Sequence, residues 1–111
     1  MKPLELASKY LEIFFSGENL DDLKNLFADN LTFNGPFYKF SSADDYINSL
    51  KKDPPKGMKY ETIKSFEDKN SACVIYKFKK ESVSTPMAQL FETENGKLSK
   101  IVLIFNGKDF E

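Results

Sequence analysis

The sequence predicts an α+β fold in which helices come first and an antiparallel sheet second. Two rhythms carry that prediction: apolar residues recur every three or four positions in three segments before Asp53, and every second position from Gly57 onward. The third observation is spacing, because the later strands are joined by only a few residues, which suits antiparallel pairing. With 111 residues, 41% of them hydrophobic and 11 Phe and 5 Tyr among them, the chain can fill one core and is read as one domain, 1–111.

Leu4, Ala7, Leu11, Phe14 and Phe15 form a stripe after Pro3, with Tyr10 beside it, and Gly17 closes this first helix. A second, shorter helix is predicted from about Leu20 to Asp29 or Asn30. Asn19 is its N-cap, Asp21 and Asp22 suit its first turn, and Leu23, Leu26 and Phe27 share a face. Leu31-Thr32-Phe33 reads as a short strand broken by the Asn34-Gly35-Pro36 turn, and Tyr38 with Phe40 as another. Ser42, with Asp45 three residues on, starts a third helix whose apolar side is Tyr46, Ile47 and Leu50 and which Asp53-Pro54-Pro55 ends. Strands follow at Met58 to Glu67, Ala72 to Lys79, Thr85 to Thr93 and Leu98 to Asn106. Asp68-Lys69-Asn70, a polar loop near Ser82 and Glu94-Asn95-Gly96 divide them.

The chain has no His and one Cys, so the ligand sets of zinc, haem and iron-sulfur centres and the His-based triads are not expected, and no cofactor is implied. All 16 basic residues are Lys, against 17 carboxylates, and without a guanidinium fork nucleic acid is not an expected partner. The Lys51-Lys52 and Lys77, Lys79-Lys80 clusters read as solvated surface. No apolar run reaches membrane-span length and charges interrupt the amino terminus, so neither a membrane partner nor a signal peptide is expected. The lone Cys73, between Ala72 and Val74 in a strand, reads as an inert core thiol and points to a reducing, cytoplasmic setting.

Several stretches, in this order and spacing, resemble the nuclear transport factor 2-like superfamily, especially its SnoaL-like and ketosteroid isomerase-like members. They are Tyr10-Leu11-Glu12, Leu26-Phe27-Ala28-Asp29-Asn30-Leu31-Thr32-Phe33, Gly35-Pro36-Phe37, and the Phe91 to Phe105 hairpin with Asn95-Gly96-Lys97-Leu98. The resemblance spans roughly residues 4 to 107. It implies a cone-shaped α+β barrel, three N-terminal helices packed on a strongly curved antiparallel sheet around one pocket, and a homodimer formed through the sheet face. It also implies that Tyr10, Phe14, Phe33, Leu50, Gln89, Ile101, Leu103 and Phe105 point inward. Alternation along the strands independently groups Met87 with Gln89 and Phe91, and Ile101 with Leu103 and Phe105.

Against the isomerase pattern the match is incomplete. Tyr10 falls where that pattern has the hydrogen-bond donor to the developing enolate. The general base, an Asp before the Pro-Phe pair, is replaced by Gly35, and the second acid of the oxyanion hole by Met87 or Ala88. Proton abstraction needs a base within reach, and donors do not substitute for it. Asp29, Asp44 and Asp45 have sufficient roles in turns and caps. The reading that follows is a pocket for a small apolar or aromatic molecule, with Tyr10 and Gln89 as polar contacts and no catalytic residue beyond the candidate Tyr10. Two others stay open: a cofactor-independent isomerase, dehydratase or cyclase using Tyr10, and a dimeric interaction module with a filled core.

Overall fold

The computed structural model describes all residues from Met1 to Glu111. Helix α1 (Pro3–Ser16) starts at Pro3, where a missing N–H costs nothing, and Glu5 Oε1 accepts the Lys2 N–H at 3.4 Å. Gly17 ends it in the left-handed region at φ 69°, its N–H reaching the Ile13 and Phe14 carbonyls. Helix α2 (Ala43–Lys52) is capped by Ser42, whose Oγ accepts the Asp45 N–H at 3.1 Å. Asp44 and Asp45 lie in its first turn and Lys51 and Lys52 in its last, each favourable to the helix dipole.

Six strands form one sheet in the order β2-β1-β6-β5-β4-β3. They are β1 (Phe27–Asn34), β2 (Lys39–Phe40), β3 (Met58–Glu67), β4 (Ser71–Lys80), β5 (Val83–Glu94) and β6 (Lys97–Ile104). Strands β3 to β6 pair antiparallel in sequence order, as their short connections require. Helices α1 and α2 cover one face, and 22 buried hydrophobic residues fill the layer between. A short 3-10 helix, Gly107–Phe110, packs back against the open end of that layer.

The expected strongly curved antiparallel barrel is not what forms. The sheet is mixed, because β1 runs parallel to β6, with Phe33 opposite Ile101 and Asn34 opposite Val102. It is open, because the order ends at β2 and β3, which do not meet. Nor is it strongly curved: the β4–β5 ladder at its middle runs through ten consecutive pairs, Ser71 with Glu92 to Lys80 with Val83, without a bulge, and the register shifts lie in the flanking β1–β6, β3–β4 and β5–β6 ladders. The expected second α-helix is also replaced. Leu20–Asn25 is a six-residue 3-10 helix whose Asn19 sits in the left-handed region and makes no side-chain cap. Leu26 to Asn30, expected near the end of that helix, enter or lead into β1, because the Leu26 carbonyl accepts the Leu98 N–H at 2.8 Å and β6 draws the chain into the sheet.

Strand alternation sorts the side chains by face. On β4, Ala72, Val74, Tyr76 and Phe78 are buried under the helices, while Lys77 and Lys79 lie exposed on the far side. Cys73 shares the parity of those lysines and is half-buried on the outer face, so it is not the core thiol the sequence suggests. Its cross-strand row there is Phe66, Cys73, Leu90 and Val102, beside Ile75, Ala88 and Ile104. That makes an apolar outer sheet face, on which Phe66 is 54% and Ile104 60% exposed.

Candidate ligand-binding cavity

At the open end of the core, between helices and sheet, lies a cavity of about 260 Å³. It is near the lower bound of ordinary ligand pockets. Fourteen of its seventeen lining residues are hydrophobic. It is more apolar than the groove that adjoins it, where 7 of 14 lining residues are hydrophobic, and the depression along Asp45, Asn48, Ser49, Lys51 and Lys52 on the outside of α2 has no hydrophobic lining.

Each wall follows from local sequence. Tyr10 and Phe14, four residues apart on α1, project from one helical face, and Phe15 beside them stacks on Tyr60 at 4.6 Å. Tyr46 enters from the apolar side of α2 and stacks on Phe33 of β1 at 4.6 Å. Alternation on β4 supplies Tyr76 and Phe78, and alternation on β5 supplies Met87 and Gln89. Phe37, Phe105 and Phe110 meet edge to face over the end of the cavity, with ring centroids 5.1 to 6.1 Å apart.

Of the residues expected at the site, Tyr10, Phe14, Phe33, Met87, Gln89, Leu103 and Phe105 line this cavity. Leu50 does not: one turn beyond Tyr46, it lies on a neighbouring groove with Phe40, Ser49, Lys52 and Lys56. Ile101 is fully buried between Phe33 and Phe91, a step further from the open end than Leu103. Sequence reasoning did not single out Tyr46, Tyr76, Phe37 or Phe110. Tyr46 was visible as part of an apolar helix face, and Tyr76 and Phe78 as the apolar parity between Lys77 and Lys79.

The polar groups form two small networks. The Tyr10 and Tyr46 hydroxyls share a hydrogen bond at 2.5 Å, and both are inaccessible to solvent. Gln89 Nε2 donates to the Tyr76 hydroxyl at 2.7 Å, and Tyr76 in turn donates to Met87 Sδ at 3.6 Å. Burial pushes Tyr10 and Tyr46 well above the usual tyrosine range and Tyr76 up to about 12, so all three are neutral at physiological pH. Gln89 Oε1 is buried and has no partner.

No carboxylate lines the cavity, and its one charged residue is Lys80. Gly35 lines it with no side chain where the isomerase pattern has its base. Met87 stands on the cavity wall, while Ala88 faces the outer side of the sheet. Asp29, Asp44 and Asp45 are exposed elsewhere. No three His, Cys, Asp or Glu side chains converge anywhere as a metal-ligating group. Lys80, expected on solvated surface, instead sits half-buried at the junction of cavity and groove.

No protein-family profile and no curated protein sequence matches the chain. Solved structures do. It is similar to a nuclear transport factor 2-like protein of unknown function from Cytophaga hutchinsonii, with 24% identity and a TM-score of 0.83 over 100% of this chain and 96% of that one. It is similar to a putative ketosteroid isomerase from Kribbella flavida, with 17% identity and a TM-score of 0.79 over 92% of this chain and 76% of that one. A putative polyketide cyclase from Pseudomonas putida matches with 13% identity and a TM-score of 0.78, over 99% of this chain and 96% of that one. At these identities the likeness speaks to architecture, which hosts many chemistries. Helices on one face of a mixed six-stranded sheet, an aromatic cavity at the open end of the core and these three likenesses together show that the chain has the nuclear transport factor 2-like fold.

Proposed function

We propose that this protein binds a small apolar or aromatic molecule in the cavity, without the proton-abstraction chemistry of the isomerases that share its fold. The observation that carries the reading is an apolar cavity of about 260 Å³ with no carboxylate on its walls. Burial of apolar ligand surface supplies the affinity, at about 25 cal/mol per Å² before binding costs. Tyr10, Phe14, Phe33, Met87, Gln89, Leu103 and Phe105 are the proposed contacts. Tyr10 serves here through its ring and its bond to Tyr46, and the absent base counts against the enzyme reading.

The working unit proposed is a homodimer joined through the outer sheet face, supported by the exposed Phe66 and Ile104 and the apolar rows between them. A reducing, cytoplasmic setting belongs to the same proposal and rests on the single unpaired Cys73. Titration calorimetry with naphthalene tests the binding reading. Binding by the native chain, lost in a Leu103→Trp variant that remains folded by circular dichroism, supports it; no binding by the native chain refutes it. Sedimentation velocity tests the dimer, which Ile104→Lys should split.

A further inference from the structure

We propose that the ligand is a compact aromatic acid of hydroxylated type, with a neutral hydrogen-bond donor at its buried end for Gln89 Oε1 and an anionic group at its outer end facing Lys80. This inference rests on the binding reading above and adds the chemical class of the ligand.

Gln89 carries the first half. The residue is 3% exposed, and its Oε1 is the one buried side-chain nitrogen or oxygen in the molecule without a partner. The neighbouring bonds explain why the oxygen is the free atom: Nε2 is engaged by Tyr76, whose own proton goes to Met87 Sδ. An unpaired acceptor buried behind an apolar wall is costly, and a ligand O–H or N–H that meets it once the Gln89 side chain turns toward the cavity removes the penalty. A carboxylate placed there would bring a second acceptor against the first. The buried tyrosines are neutral and no cation lies at that end, so nothing would offset an anion's desolvation.

The outer end has the opposite character. Lys80 borders both the cavity and the adjoining groove, where Lys52 and Lys56 stand with a single carboxylate, Asp53. None of these three lysines forms an ion pair; the lysines that do are Lys24, Lys51, Lys79 and Lys100. Along the β4–β5 ladder from Lys80 toward Gln89, net positive charge gives way to aromatic rings and then to one neutral acceptor. A molecule matching that gradient is anionic outside, aromatic in the middle and hydroxylated at its tip.

Calorimetry with 3-(4-hydroxyphenyl)propanoate, its 4-methoxy analogue and its methyl ester tests each end separately. The native chain should bind the hydroxy acid about tenfold more tightly than the methoxy acid. It should also bind the acid several-fold more tightly than the ester at low salt, with that difference shrinking as salt rises. Gln89→Met, which keeps the volume and removes the acceptor, should bring hydroxy and methoxy acids within twofold, and Lys80→Met should equalise acid and ester. Equal binding of the hydroxy and methoxy acids by the native chain, or an undiminished preference in Gln89→Met, overturns the donor assignment. An acid-over-ester preference that survives Lys80→Met overturns the anionic end. In each of those cases the binding reading stands, since these molecules bind. Failure of all three to bind while naphthalene binds overturns the ligand class alone, and failure of naphthalene as well removes the cavity's binding role.

Discussion

The Tyr10 hydroxyl on α1 and the Tyr46 hydroxyl on α2 share a 2.5 Å hydrogen bond that joins two helices with no other polar link in the core. Each ring also packs on Phe27, at 5.7 Å from Tyr10 and 5.9 Å from Tyr46, so the bond fixes how both helices sit on β1. Removing one oxygen leaves the other buried without its partner. Tyr46→Phe or Tyr10→Phe should therefore cost about 1 to 2 kcal/mol of stability, and the double variant less than the sum, because it leaves no orphan. Urea denaturation of the four proteins checks this, and strict additivity would show that the bond contributes no coupling.

The same burial sets a limit at high pH. Tyr10, Tyr46 and Tyr76 have ionisation shifted upward, chiefly by desolvation, with Tyr76 at about 12. In the unfolded chain these phenols ionise near pH 10. Below that pH both states are protonated and the stabilising contribution is complete. Above it the unfolded state loses protons first, so stability falls as pH rises from about 10 toward the folded values. Unfolding followed by circular dichroism between pH 9 and 12.5 should coincide with the tyrosinate absorbance of these three residues. Reversible titration of all the tyrosines near pH 10 in a folded protein would contradict it.

Much of this could be read locally, and the failures share a cause. Helix α1 and the Ser42 cap follow from residues within four positions of one another, and β3 to β6 from alternation with short turns. The parallel β1–β6 pairing joins Phe33 to Ile101, far apart in sequence, and no local pattern announces it. That pairing is also what converts Phe27 from a helical residue to the first residue of β1. Cys73 was legible in principle: exposed Lys77 and Lys79 fix the strand's parity and put Cys73 outside, but Ile75 on the same side hides the signal by making both faces apolar. At the cavity, alternation correctly grouped Met87 with Gln89. What it lacked was depth along the strand, which separates Leu103 from Ile101, and the hydroxyl partners of Tyr46 and Tyr76, which depend on elements meeting.

Gly17 links the end of α1 to the loop after α2. Its φ of 69° disfavours any side chain, and a Cβ built there would collide with the Pro55 carbonyl oxygen. Gly96 has a similar φ of 75° with open space around it, so it isolates the conformational penalty from the clash. Gly96→Ala should lose about 1 kcal/mol. Gly17→Ala should lose distinctly more, about 2 to 4 kcal/mol, since the backbone of Pro55 must also move. Thermal denaturation of the two variants side by side checks the ordering, and equal losses would mean the Pro55 contact yields freely.

The C-terminal 3-10 helix Gly107–Phe110 is held by a hydrogen bond from the buried Thr85 Oγ1 to Asp109 Oδ2 and by Phe110 packing on Phe78 and Phe105, with centroids at 5.6 and 5.1 Å. Phe110 is also part of the cavity wall, so the bond and the cavity's closure are coupled. Asp109→Ala removes the acceptor and leaves the hydroxyl of the buried Thr85 without it. That should cost about 1 to 2 kcal/mol. Because Phe110 then loses its anchor, backbone amides of residues 107–111 should exchange faster while the centres of β4 and β5 keep their protection. Hydrogen exchange read by mass spectrometry distinguishes this from a uniform loss of stability. Faster exchange throughout β4 and β5 would mean that Asp109 supports the whole sheet rather than the segment over the cavity.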